Sequence, residues 1–482
     1  MSLYNIEPRA PMKHFLDMAK IPHGSGNEAA VSTWLAGFGK NLGFETIIDE
    51  SYNVIIRKPG TVGYENAPRV ILQGHLDMVC EKNNNTEHDF ITQGINVLSD
   101  GKYLSADGTT LGADNAVAVA YTMAVLEADD IPHPPLTVIM TTNEEVGLLG
   151  ATALNAKYLS DAKYMINLDS GGDNIFTVGC AGGNRTAFTI KCKPSPIPAG
   201  YSAMQISVSG LLGGHSGKDI NAGRGNANIF IGRLIYPLIS KYGALISTIN
   251  GGDKDNAIPR EAHAIICIPN RHLNEAKNEL GNINNNIKTE YSISEPNAEI
   301  EFIDVAANKA YSEQFSLTIA SLLRLIPNGV QAFDQTFPDL IETSLSLGVV
   351  KADDEGVTFY SAVRSSVRSK KSDVVSRLKT LADTLNIEIK TYNEYPEWQF
   401  KRDSILQKIC GDVNTELFGV EAAFHIMHGG LECGVILDKA PQLDIIAMGP
   451  NLFDNHSPDE RLEIASFGRC WEVLKAVLKK MK

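Results

Sequence analysis

The sequence has no surplus of positive charge: its 482 residues carry 57 acidic side chains against 43 basic ones, a formal net charge of -14. A phosphate backbone needs a concentrated basic surface, which no segment supplies, so nucleic acid is excluded as a partner. The cysteines are not paired. Seven of them, Cys80, Cys180, Cys192, Cys267, Cys410, Cys433 and Cys470, lie scattered without a CxxC spacing. That excludes a disulfide framework and suits a reducing compartment. No apolar stretch approaches the length of a bilayer span, and the opening MSLYNIEPRAPMKHFLDMAK has no apolar signal core behind a basic start. No membrane partner and a cytoplasmic location are therefore expected. No repeat or low-complexity tract stands out.

What is present is ample apolar material, 43% hydrophobic against 21% charged, enough to fold without disulfide staples. The length exceeds that of one ordinary core and predicts two units. Strand-like runs (VILQ ending at Gln73, LTVIMTT over Leu136 to Thr142, YMINLD over Tyr164 to Asp169) alternate with helical patterns. This predicts an α/β domain, a mainly parallel sheet flanked by helices, with ligand sites at the carboxyl ends of the strands.

From about Arg185 to about Lys390 the texture changes to polar connections, among them the Asn-rich GNINNNIK, and to alternating strands such as MQISVSG and TFYSAVRSSVRS. This reads as an inserted α+β domain over 185–390, with 1–184 and 391–482 forming the other unit. The segments FHIMHGG and LDIIAMGP then rejoin the first sheet. A terminal helix is expected directly after His456. Ser457 would be its cap, Pro458 its first residue and Glu460 the partner in a capping box, followed by the stripe Ile464, Phe467, Trp471, Leu474 and Leu478.

Several short motifs carry chemistry. GHLDMV follows the first strand and offers His75 as a metal ligand, with Asp77 to orient its ring; a polar loop explains the hexapeptide equally well. GADN offers Asp114, whose commoner occupation would be a helix cap. NEEVG, after LTVIMTT, puts Glu144 and Glu145 side by side at a buried strand end, where a cation is the natural compensation for their repulsion. Asp169 ends another strand and His456 precedes the terminal helix. Separately each is bland. Jointly, His75, Asp114, Glu145, Asp169 and His456 all stand at element boundaries of one inferred domain and make an N/O donor set suited to two zinc ions.

The ordered set GHLDMV, GADN, NEEVG, NLDS and NHSPDE resembles that of the co-catalytic zinc peptidases, which include carnosinases, aminoacylases and glutamate carboxypeptidases. The likeness spans essentially the whole chain, and within the family it is strongest to dipeptidases acting on Xaa-His substrates. It implies a zinc-peptidase catalytic domain with an inserted lid. Asp114 would bridge two Zn2+ ions, with Mn2+ or Co2+ as substitutes; His75 and Asp169 would complete one site, Glu145 and His456 the other. Glu144 would be the general base and Asp77 the orienting acid, and a cis peptide would follow Asp114.

For the lid, the resemblance implies that His215 of GGHSG donates to the oxyanion, and that Asn256 of DNAIP and Arg368 of SVRS hold substrate polar groups and the terminal carboxylate. Arg364, read as lying on the same strand face, competes with Arg368. Gly429 and Gly430 of MHGGLE fit a loop near the scissile bond. The remaining histidines, including His425 and His428, read as ordinary core or surface residues. The expected partner is a small peptide, and a homodimer is expected in which His215 serves its own chain or the other. Two alternatives remain open: a deacylase, carboxypeptidase or tripeptide aminopeptidase of the same chemistry, and an inactive metal-binding scaffold, against which Glu144 speaks.

Overall fold

The computed structural model describes residues 2–353 and 355–482. They form two compact units. One comprises the chain up to Cys180 with Trp398–Met427 and Leu431–Lys482; the other comprises Ala181–Glu397 with His428–Gly430. The changeovers fall at 180/181 and 397/398 rather than 184/185 and 390/391. Strand Gly182–Lys191 pairs with both Gly356–Ser365 and Glu388–Tyr395, which keeps both ends of the insertion in the second sheet.

The first unit is built on an eight-stranded sheet whose central strands, Leu136–Thr141, Arg69–His75, Ala162–Asn167 and Asp444–Ala447, run parallel, while antiparallel pairs occupy one edge and Ile175–Cys180 meets Asp444–Ala447 antiparallel toward the other. Ala423–Met427 also joins this sheet, beside Ile175–Cys180. The central strands are apolar and buried on both faces, as parallel strands covered by helices must be. Helix Ala113–Glu127 lies against Arg69–His75 and is buried along nearly its whole length, not on one face only. Its small residues permit this. A Cβ at Gly74 would stand 2.3 Å from the Ala118 Cβ and 2.4 Å from Asn115 Oδ1, so glycine sets how closely helix and strand approach.

The terminal helix differs from expectation. It begins at Ile464, and the residues before it, Arg461–Glu463, form a short strand paired with Tyr103 and Leu104. Ser457, Pro458 and Glu460 therefore do not cap it. Edge pairing and a demand for Glu460 elsewhere override the local capping signal. The expected stripe does pack inward: Phe467, Trp471, Leu474 and Leu478 are buried, and Tyr121 stacks on Phe467 at 4.8 Å.

The second unit carries a nine-stranded antiparallel sheet. Helices Ala227–Tyr242 and Arg368–Leu385 pack on it, around a core that includes Phe188, Ile206, Phe230, Leu234, Ile266 and Phe359. GNINNNIK is not a connection but part of helix Leu273–Glu290, carried by the buried positions Ala276, Leu280 and Ile287 at helical spacing. Arg368 is not on a strand either: the strand ends at Ser365, and Arg368 opens the next helix. Among the described residues no helix is long and apolar enough to cross a membrane.

Candidate active site

In the first unit the parallel strands end together, and their carboxyl ends carry the chemistry. His75 is the last residue of its strand, and its Nδ1 is 3.0 Å from the backbone oxygen of Asp77 and 3.4 Å from the Asp77 carboxylate. The carbonyl is thus the nearer partner. With Nδ1–H donating there, Nε2 presents a lone pair to the site. Asp77 itself is fully buried, and its carboxylate accepts from Ser25 Oγ at 2.8 Å and from the backbone N–H groups of Glu144 and Glu145 at 3.0 and 3.2 Å. It shapes the loop that bears the paired glutamates. Glu28, also buried, holds the same loop through the Asn143 N–H at 3.0 Å.

Asp114 stands between the two imidazoles. Its Oδ1 is 3.2 Å from His75 Nε2 and its Oδ2 is 3.5 Å from His456 Nε2. His456 Nε2 also lies 3.0 Å from Glu145 Oε1, while His75 Nε2 lies 3.8 Å from Asp169 Oδ1 and 3.9 Å from Glu144 Oε2. Ligand atoms of His75, Asp114 and Glu145 all fall within 4.8 Å of one another. The expected cis peptide between Asp114 and Asn115 is present. Asn115 ties the centre to its scaffold: its Oδ1 accepts from the His75 N–H at 3.1 Å, and its Nδ2 donates to the Leu168 carbonyl at 2.9 Å. His456 and Asn143 hold left-handed backbone angles, φ 63° and 51°, a strain that concentrates at functional sites.

Protein alone leaves this crowd uncompensated. Burial, and then the Asp114 charge, push Asp169 up to about 8; burial followed by Asp169, Glu432 and Glu145 raises Glu144 well above its ordinary range despite His75. Burial acts to raise Asp114 too, but His456 and His75 hold it far below the usual carboxylate range, and Asp114 and Glu145 push His456 up to about 10. Glu145 Oε1 is buried without a hydrogen-bond partner although His456 Nε2 is close, as expected of two atoms that share a cation rather than a proton. Imidazoles and carboxylates without a thiolate are donors for a divalent ion such as zinc. The residues fit a metal.

Two buried acids near the centre were not foreseen. Glu460 is 2% exposed and its carboxylate accepts four successive backbone N–H groups, Leu111 to Asp114. Glu432 is fully buried and accepts from Gln73 Nε2 at 2.5 Å and Thr141 Oγ1 at 2.6 Å; burial pushes it up to about 7. Glu460 was visible in the sequence as a helix signal only, and Glu432 follows the Gly-Gly pair without a recognisable cue.

In the second unit the other expected residues gather at one end of the sheet. Register places Arg364 opposite Ser344 on one side and Gly183 on the other, and Gly183 opposite Tyr395. Arg364 is buried and donates to the Tyr395 hydroxyl at 3.0 Å. A Cβ at Gly183 would lie 2.6 Å from that hydroxyl, so a side chain there would displace it. His428 bonds Ser344 Oγ through Nε2 at 2.7 Å; burial and then Arg364 push it down to about 3. Read from sequence as an ordinary core or surface residue, it lies near His215 and Arg364.

His215 pairs with Ala257 in a short ribbon, and Asn256 lies next to it, its carbonyl accepting from the Ser216 N–H at 2.8 Å. His215 Nδ1 accepts from the N–H groups of Gly217 and Lys218 at 3.2 and 3.1 Å. The proton of the neutral ring must then sit on Nε2, which makes His215 a donor. Arg368, by contrast, pairs with Glu397 at 2.6 Å. Gly430 sits against Tyr395, where a Cβ would meet the ring at 2.9 Å.

Carboxylates and imidazoles crowded at strand ends, with one further glutamate on the same loop, mark a metal-dependent hydrolase. Residues 71–480 match the peptidase family M20/M25/M40, and the chain belongs to that family. It is 35% identical over 480 residues, 99% of each chain, to the cytosol non-specific dipeptidase of Escherichia coli. The crystal structure of aminoacylhistidine dipeptidase from Vibrio alginolyticus superposes with a TM-score of 0.93 at 33% identity, covering 99% of this chain and 98% of that one. The aminopeptidase PepT of Bacillus cereus shares the fold, with a TM-score of 0.57 at 16% identity over 99% of both chains. The chain is a peptide hydrolase.

Proposed function

We propose that the chain is a dipeptidase that cleaves Xaa-His and related dipeptides, carnosine-like ones included, with two divalent cations, zinc first and manganese or cobalt as substitutes. The observation that carries the reading is the position of Asp114, with one carboxylate oxygen toward His75 and the other toward His456. Full-length likeness to two dipeptidases supports the substrate class. His75, Asp114 and Asp169 would hold one ion; Asp114, Glu145 and His456 the other. Bound there, the cations would polarise the scissile carbonyl and make a water acidic enough to lose its proton near neutral pH.

The chain's own residues do the rest. Glu144 accepts the proton of the attacking water and returns it to the leaving amine, a task that suits a carboxyl whose proton affinity is raised by burial. Asp77 keeps Glu144 and Glu145 on one rigid loop. His215, with its proton on Nε2, donates to the oxyanion of the tetrahedral intermediate. For the terminal carboxylate we favour Arg364 over Arg368, because Arg364 is held beside His428 and Tyr395 whereas Arg368 is engaged by Glu397. Asn256 and Gly430 are assigned to substrate polar groups and backbone. A cytosolic setting is supported by the designation of the Escherichia coli relative and by the absence of a disulfide among the described residues.

Substrate length separates this reading from its neighbours. Xaa-His dipeptides, tripeptides and N-acetyl amino acids, offered to metal-analysed protein, should be ranked with dipeptides ahead by about tenfold or more. Faster cleavage of acetylated substrates contradicts the dipeptidase assignment.

A further inference from the structure

The carboxylate of Glu460 has an unusual set of partners. Oε2 accepts from the N–H groups of Leu111 at 2.8 Å and Gly112 at 3.0 Å, and Oε1 from those of Ala113 at 2.9 Å and Asp114 at 3.3 Å. Four consecutive N–H groups directed at one point form an anion nest, and here the anion belongs to the chain itself. Helix Ala113–Glu127 has no side-chain cap from its own sequence; Gly112 is left-handed, and Asp114 and Asn115 depart from helical angles. No local side chain accepts these four N–H groups, and Glu460 supplies the missing acceptors.

Glu460 comes from the same loop as His456. That loop turns back through the Glu460 N–H bonded to the Ser457 carbonyl at 3.1 Å, and it sends Asn455 Nδ2 to Asp114 Oδ2 at 3.2 Å. Asp114 and His456 are more than three hundred residues apart in sequence, yet Glu460 joins the backbone that carries one to the loop that carries the other. We propose that Glu460 is a positioning residue that locks Asp114 and His456 at their mutual spacing before any metal arrives. The inference rests on the dipeptidase reading for the role of the two ligands, but not for the tie itself.

Only a carboxylate fits the nest. The amide oxygen of Glu460→Gln accepts two hydrogen bonds at most, and its NH2 would face N–H donors. Glu460→Asp keeps the charge on a shorter arm. Zinc titration of metal-stripped protein should show affinity lowered about tenfold or more in the Gln variant, with kcat lowered by a similar factor and KM within about twofold. Glu460→Asp should recover part of both. In the wild type, amide exchange at Leu111 to Asp114 should already be slow in metal-free protein. Wild-type-like affinity and kcat in the Gln variant overturn the proposal, as does free-loop exchange at those amides. Should the Gln variant not fold, the exchange data and the Asp variant decide. Wild-type protein that takes up no metal refutes the dipeptidase reading, and with it the role of the tie in metal binding.

Discussion

The two units present their functional side chains in different ways. In the first, His75 ends a parallel strand and Glu144, Glu145 and Asp169 lie within a few residues of the ends of two others, so the sheet itself brings them together. In the second, Arg364 lies within an antiparallel strand, His215 in a short ribbon and His428 on a segment more than sixty residues further along the chain than Arg364. That group is assembled by register and side-chain packing, not by a shared strand end. On the proposed reading, strand ends place the reacting groups, while register and packing place the groups that would read the substrate.

The contrast can be broken in order of size. Asp114→Asn should reduce both metal uptake and turnover by about a thousandfold or more, since the residue stands between the two halves of the centre. The second unit should answer differently. His215→Ala and Glu144→Ala, each nearly inactive alone, should regain activity when mixed and reassociated if the lid histidine of one subunit serves the other; no recovery shows that each chain is self-sufficient. Arg364→Ala should raise KM for dipeptides about ten- to a hundredfold, the loss of a charged hydrogen bond to substrate, with zinc content unchanged. Arg368→Ala should change KM less than about fivefold, because its guanidinium is already engaged by the buried Glu397. The reverse ranking would return the carboxylate to Arg368.

The smallest effect concerns pH. His428 is pushed down to about 3 in the fold, whereas an unfolded histidine titrates near its ordinary value, so the unfolded chain binds the extra proton. Stability from this group is complete above about pH 6.5 and declines as the pH falls. Thermal melts at pH 7 and pH 5 should therefore differ more in the wild type than in His428→Asn; equal differences contradict the assignment.

The candidate site was legible in the sequence where its residues sit at an element boundary. His75, Asp114, Glu145 and Asp169 lie beside a strand or helix end, His456 entered the set through a helix start that proved to be eight residues further on, and the structure brings the five within a few ångströms of one another. Sequence reading failed where a long-range partner outbid a local one. Ser457, Pro458 and Glu460 spell a helix start, yet the Leu111–Asp114 turn claims Glu460 and the helix begins at Ile464. The same limit applied in the second unit. Arg368 ranked ahead of Arg364 while both were read on one strand, but the strand ends at Ser365, and His428 showed no local sign of the Ser344 contact that holds it.

The central claim is that Glu144 moves protons beside a centre it does not help to hold. Glu144→Ala, prepared with saturating zinc, tests it directly through metal content and turnover of an Xaa-His dipeptide measured on the same sample. Two ions per chain with kcat below about a thousandth of wild type is the predicted result. Undiminished turnover, or loss of metal in step with activity, would contradict it.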